Sequence, residues 1–168
     1  MYSCRGKTAV ILGLAFLLTS SLATATTFLR ADVPTLARAS SSVVRARVEN
    51  VQSSWNGNRS MIFTQVTLNV AQTLRGTPSS RVVVRVPGGT VNGYTIRMEG
   101  APQFQTGSEV VAFIGSWDDG AAKVVGYAQG VSQLVRDGVG NLILRGGSAD
   151  GTPLGQFVQQ LARSGGAQ

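Results

Sequence analysis

From residue 43 onward, apolar and polar side chains alternate with period two, the pattern of strands that bury one face. In residues 43–48, Val44, Ala46 and Val48 share one face, while Arg45, Arg47 and the following Glu49 share the other. Residues 61–74 extend the pattern, with Ile62, Val66, Leu68, Val70 and Leu74 inward and Gln65, Thr67 and Asn69 outward. Between these runs lies Trp55-Asn56-Gly57-Asn58. Asn-Gly flanked by alternating segments predicts a tight hairpin, because the favoured turn needs positive φ at both central residues. Arg75-Gly76-Thr77-Pro78 predicts a second turn, leading into residues 81–86, where Val82, Val84 and Val86 oppose Arg81, Val83 and Arg85. A three-stranded meander is the expected result.

The pattern then becomes less regular. Pro87-Gly88-Gly89 predicts a turn, and residues 91–98 read as one strand weakened in its interior by Gly93. Residues 100–104 read as a loop that tucks Phe104 into the core. Residues 109–116 form a strongly apolar strand, and Asp118-Asp119-Gly120 turns the chain onto a strand over residues 123–128. Asp137-Gly138 joins strands at 131–135 and 141–145. Two helices bracket this region. Asp32 is placed to cap residues 35–39 with Pro34 in the first turn. Thr152-Pro153 opens residues 154–163, where Leu154, Phe157, Val158 and Leu161 form a helical stripe. The expected fold is mainly β: a small antiparallel OB-like barrel of about seven strands with a short N-terminal helix and a C-terminal helix. A β-sandwich is the alternative.

The first 25 residues have a different character. Arg5 and Lys7 precede the apolar run AVILGLAFLL at residues 9–18, and Ala23-Thr24-Ala25 supplies a small-x-small cleavage pattern. This is the layout of a signal peptide cleaved near Ala25, its apolar run being shorter than the ~20 residues a membrane-spanning helix needs. The expected organisation is a signal peptide over 1–25, one domain over 26–163 and a disordered tail over 164–168. The product is then secreted or periplasmic, with no transmembrane anchor after cleavage.

Composition narrows the chemistry. The 168 residues include no histidine and one cysteine, Cys4, which falls in the leader. Zinc sites and imidazole- or thiolate-based catalysis are therefore not expected, and neither a metal nor another cofactor is implied. Glu99 and Glu109 are the pair that carboxylate-only hydrolysis would need. Serines lack an activating histidine and a Gly-x-Ser-x-Gly elbow. The expectation is that the protein is not an enzyme.

Of the 15 basic residues, Arg5 and Lys7 lie in the leader, leaving 13 against 8 acidic ones and a net charge of +5. Arg45 and Arg47 share one strand face, and Arg81 and Arg85 share another. In one sheet these four, joined by Arg97, make a basic field suited to an anionic polymer. Its outward neighbours Gln65, Thr67 and Asn69 are not the aromatic platforms that single-stranded nucleic acid requires, and no nucleic acid partner is expected. Trp55 and Trp117 each adjoin a hairpin turn, where tryptophan serves as a binding anchor or as a lid on a barrel core.

Over residues 31–130 the segments VVRARVENVQSSW, IFTQVTLNVAQTLRG, RVVVRVPGG, EGAPQFQTGSEVVAFI and KVVGYAQG resemble an uncharacterised group of secreted bacterial β-barrel proteins. In layout they are also similar to netrin-like modules with an OB-type barrel, including tissue inhibitors of metalloproteinases. Leu74-Arg75-Gly76 and the segment at 107–113 occupy the places of that family's recurrent strand ends. The zinc-chelating N-terminal cysteine of those inhibitors has no counterpart after residue 25. The resemblance implies a secreted module that binds another macromolecule. The leading expectation is a non-catalytic module engaging an extracellular or periplasmic protein, a protease being one candidate, through the tips at Trp55 and Trp117 and residues 88–104. The alternative is an envelope-associated module that binds anionic glycan or lipid through Arg45, Arg47, Arg81, Arg85 and Arg97.

Overall fold

In the computed structural model, residues 31–165 are described. The leader read over residues 1–25 and the last three residues lie outside them. The chain runs through helix α1 (Val33–Ala39) and strands β1 (Ser42–Trp55), β2 (Ile62–Gly76), β3 (Arg81–Pro87), β4 (Gly89–Val91), β5 (Tyr94–Ile96), β6 (Glu109–Ser116) and β7 (Ala122–Val124). A 3₁₀ turn (Tyr127–Gly130) then leads to β8 (Val131–Arg136) and β9 (Leu142–Arg145), and helix α2 (Leu154–Gly165) follows a second 3₁₀ turn. No helix among these residues is long and apolar enough to cross a membrane.

Seven strands form one mixed sheet in the order β1-β2-β3-β7-β6-β8-β9, and β1 pairs again with β6. The pairings β1-β2-β3-β7-β6-β1 therefore close a ring, which gives the molecule its barrel-like form. The seam is narrow: β3 meets β7 through a single parallel pair, Val84 with Ala122. Every other strand pair is antiparallel. Curvature comes from β1, whose register against β2 shifts between Val43 and Val44, between Arg45 and Ala46, and between Val48 and Asn50. Such bulges bend a strand and increase its twist, allowing β1 to leave β6 after Arg47 and continue with β2 alone.

The core is double. Val44, Ala46 and Val48 of β1, Val66 and Leu68 of β2, Val84 and Val86 of β3 and Val110, Ala112 and Ile114 of β6 fill the ring. Val43, Val111 and Phe113 point the other way, into a second cluster with Leu36, Leu134, Leu144, Phe157 and Leu161. Strand β6 is thus buried on both faces, which explains why it reads as a continuous apolar run. The edge-to-face pair of Phe113 and Phe157, 5.9 Å between centroids, ties α2 to the sheet. Val158, at the margin of the α2 stripe, remains 37% exposed. Helix α1 is capped by Asp32, whose carboxylate accepts from the Thr35 N–H at 2.9 Å. The Arg75 guanidinium donates to the Ala37 and Ser40 carbonyls at its other end.

Three local expectations change. The first is the tight Asn56-Gly57 turn: β1 and β2 are joined by a wider loop over residues 56–61, closed by the Asn56 N–H donating to the Met61 carbonyl, in which Arg59 rather than Gly57 takes positive φ, at 56°. The strand expected over residues 91–98 is instead part of the β4–β5 hairpin, with Asn92 at φ 50° and Gly93 at φ 83°. Asn92-Gly93 is itself the hairpin signal, hidden by the shortness of its flanking strands. The strand expected over 123–128 stops at Val124. A Cβ on Gly130 would stand 1.8 Å from the Val125 carbonyl oxygen, so the chain folds back there as only glycine permits.

Candidate functional site

The hairpin β4–β5 and the loop after it roof one end of the ring, leaving a cleft of about 700 Å³. Val51, Val66 and Val86 line its apolar part, and Ser53 and Thr64 add hydroxyls. These groups come from β1, β2 and β3 because alternate side chains of the three strands face the same side. The roof is fastened through hydrogen bonds: Thr64 Oγ1 lies 2.9 Å from Ser53 Oγ and donates to the Gly88 carbonyl at 2.7 Å. Ala101 and Phe104 pack against the ring core, so the loop buries Phe104 partly, as its sequence position suggested.

The mouth carries both apolar and charged groups. Arg97, Met98 and Glu99 contribute to the lining, and Met98 is 39% exposed. On the same hairpin but outside the cleft lining, Tyr94, 69% exposed, meets Trp55 edge-on at 6.2 Å between centroids. Trp55 is therefore a half-buried support for the hairpin. Tyr94 is the projecting aromatic, a residue sequence reasoning passed over; the Asn92-Gly93 turn two residues earlier is the signal that places it. With Arg97 and Glu99 both at the rim, the opening has no strong net charge.

Trp117 stands elsewhere, at the β3–β7 seam. Its indole N–H points to the Arg85 carbonyl at 3.4 Å. The Arg85 guanidinium lies 5.9 Å and the Lys123 ammonium 4.8 Å from its ring centre. The two tryptophans thus occupy separate places.

Arg45, Arg47, Arg81 and Arg85 do lie in one sheet, whereas Arg97 follows β5 in the separate hairpin and does not join them there. Register sets Arg47 beside Asn69 and Asn69 beside Arg81, and sets Arg85 beside Gln65. Three of the four have carboxylate partners: Arg45 with Glu109 at 2.6 Å, Arg81 with Glu49 at 3.0 Å and Arg85 with Asp119 at 2.7 Å. Arg85 also lies 5.2 Å from the centre of the Phe63 ring. Arg47 and Arg97 have no ion-pair partner among the described residues. The field is thereby largely neutralised.

The carboxylates serve local structure. Hydrogen bonds from Arg85 and then from the Ala121 N–H hold the Asp119 carboxyl below its ordinary range. Hydrogen bonding to Thr35 does the same for Asp32. Glu99 stands in the cleft, whereas Glu109 is engaged by Arg45 and does not line it. Among the described residues no group of three or more histidine, cysteine, aspartate or glutamate side chains is disposed to hold a metal. Compared with known protein families, curated proteins and solved structures, the chain matches none.

Proposed function

We propose that this chain is a non-catalytic binding module that acts outside the cytoplasm and engages a protein partner at the cleft under the β4–β5 hairpin. The observation that carries this reading is the combination of a roofed, mostly uncharged cleft with a projecting aromatic, Tyr94, on the hairpin that roofs it. Tyr94 offers large contact area at small entropy cost, the property that makes tyrosine common at binding hot spots. The leader-like N terminus supports export. The largely paired state of Arg45, Arg81 and Arg85 favours a protein partner over an anionic polymer.

The test compares the wild-type protein with Tyr94→Ser as baits on secreted and envelope fractions. Because Tyr94 is exposed, the variant should fold normally. A protein retained by the wild type in high salt and lost by Tyr94→Ser supports the reading. Retention of only salt-eluted glycan or lipid, equal for both baits, overturns it.

A further inference from the structure

At the β3–β7 seam a second pocket, of about 190 Å³, is walled by Trp117, Pro102, Val124 and Tyr127, with Arg85 and Lys123 beside them. Its walls are mostly apolar, yet two cations adjoin it. Arg85 is engaged by Asp119 at 2.7 Å. Lys123 has no carboxylate partner among the described residues, and its ammonium rests over Trp117 at 4.8 Å. One uncompensated positive charge therefore stands at the edge of an aromatic pocket.

The backbone at the rim is also unusual. Tyr127 adopts φ 54°, a left-handed conformation disfavoured for bulky side chains, and its side chain is held 46% exposed. Residues kept in such conformations concentrate where a side chain must be presented to a ligand. Gly126 makes the local turn possible: at φ 76° a Cβ would also meet Leu36 Cδ2 at 2.4 Å.

We propose that this pocket binds a carboxylate attached to a single aromatic ring, the ring lying against Trp117 and Tyr127 and the carboxylate facing Lys123. Size supports one ring: a cavity of roughly 150 Å³ accommodates benzene. A phosphate dianion would be better served by a free guanidinium fork, whereas one nitrogen of Arg85, Nη2, is held by Asp119 and its unpaired Nε is buried. The same chemistry occurs in small aromatic acids and in the C-terminal residue of a polypeptide ending in phenylalanine. The proposal does not depend on the cleft beneath the hairpin.

The experiment follows the Trp117 indole N–H by NMR, assigned with Trp55→Phe, while phenylacetate is added to the purified protein. A saturable shift at Trp117 is expected, with 2-phenylethanol about tenfold weaker because it lacks the charge. Phenethylammonium should not bind. Lys123→Gln should lose the preference for the acid, and Lys123→Arg should keep it. Equal binding of acid and alcohol by the wild type, or an unchanged preference in Lys123→Gln, overturns the proposal, as does the absence of a saturable shift. The ligand comparison in the wild type stands even where a variant fails to fold. Competition by a peptide ending in phenylalanine, but not by its amide, assigns the site to chain ends. Failure of both peptides, with phenylacetate still bound, assigns it to free acids.

Discussion

Gly89 lies so close to Thr64 that a Cβ on it would stand 2.4 Å from the Thr64 hydroxyl oxygen. Ser53 Oγ is equally near, and the backbone at Gly89 has φ 143°. The hairpin that roofs the cleft therefore depends on a missing side chain. Gly89→Ala should lower stability by about 1–3 kcal/mol, the usual cost of a forced backbone conformation. It should also weaken retention of a cleft partner. Urea unfolding and the capture assay measure the two effects separately.

Phe157 is fully buried against Phe113. Phe157→Ala should cost ~3–5 kcal/mol through lost burial and a residual cavity. Val158→Ala, one residue on but at the margin of the stripe, should stay within about 0.5 kcal/mol of the wild type. Near-equal unfolding midpoints for the two variants would show that α2 is not docked as described.

The arginine field offers a prediction of opposite sense. Because carboxylates occupy Arg45, Arg81 and Arg85, the wild type should leave a sulfated-polysaccharide column at low salt. Replacing Glu49 and Glu109 with glutamine frees Arg81 and Arg45 and should raise the eluting salt concentration. Strong retention of the wild type, unaltered by these changes, would indicate that the ion pairs do not mask the field.

Acid should destabilise the fold through Asp119 and Asp32. Both carboxyls are held below their ordinary values, by hydrogen bonds from Arg85 and at Thr35 respectively. The folded state thus binds fewer protons than the unfolded one. Their contribution is complete above the unfolded value of about 3.9 and is lost as pH falls through the lower folded values. Unfolding midpoints measured from about pH 5 to pH 2 should fall, and Asp119→Asn should flatten part of that slope.

Much of the candidate site was hidden from sequence reasoning for identifiable reasons. Arg45, Arg47, Arg81 and Arg85 were legible as outward residues on two strands, because strand periodicity assigns faces. Their partners were not, since Glu109 and Asp119 lie 64 and 34 residues away in the chain from Arg45 and Arg85. Trp55 was legible as a hairpin residue, but its contact with Tyr94 required the second hairpin to fold back over β1. The seam pocket depends on Trp117, Lys123 and Tyr127 meeting Pro102 across a loop, which no local pattern encodes.

By itself the sequence determined the mainly β character, the meander β1–β2–β3, both helices and the apolar inner face of each long strand. These follow from local rules: alternation, turn residues and caps act over a few positions. Only the tertiary structure decided that β1 returns to β6, that β3 meets β7 in parallel, and that β6 is buried on both sides. Those choices are made by burial summed over distant segments, where closing the ring covers valine-rich faces that no single strand can cover. The cleft and the seam pocket arise where that closure is incomplete.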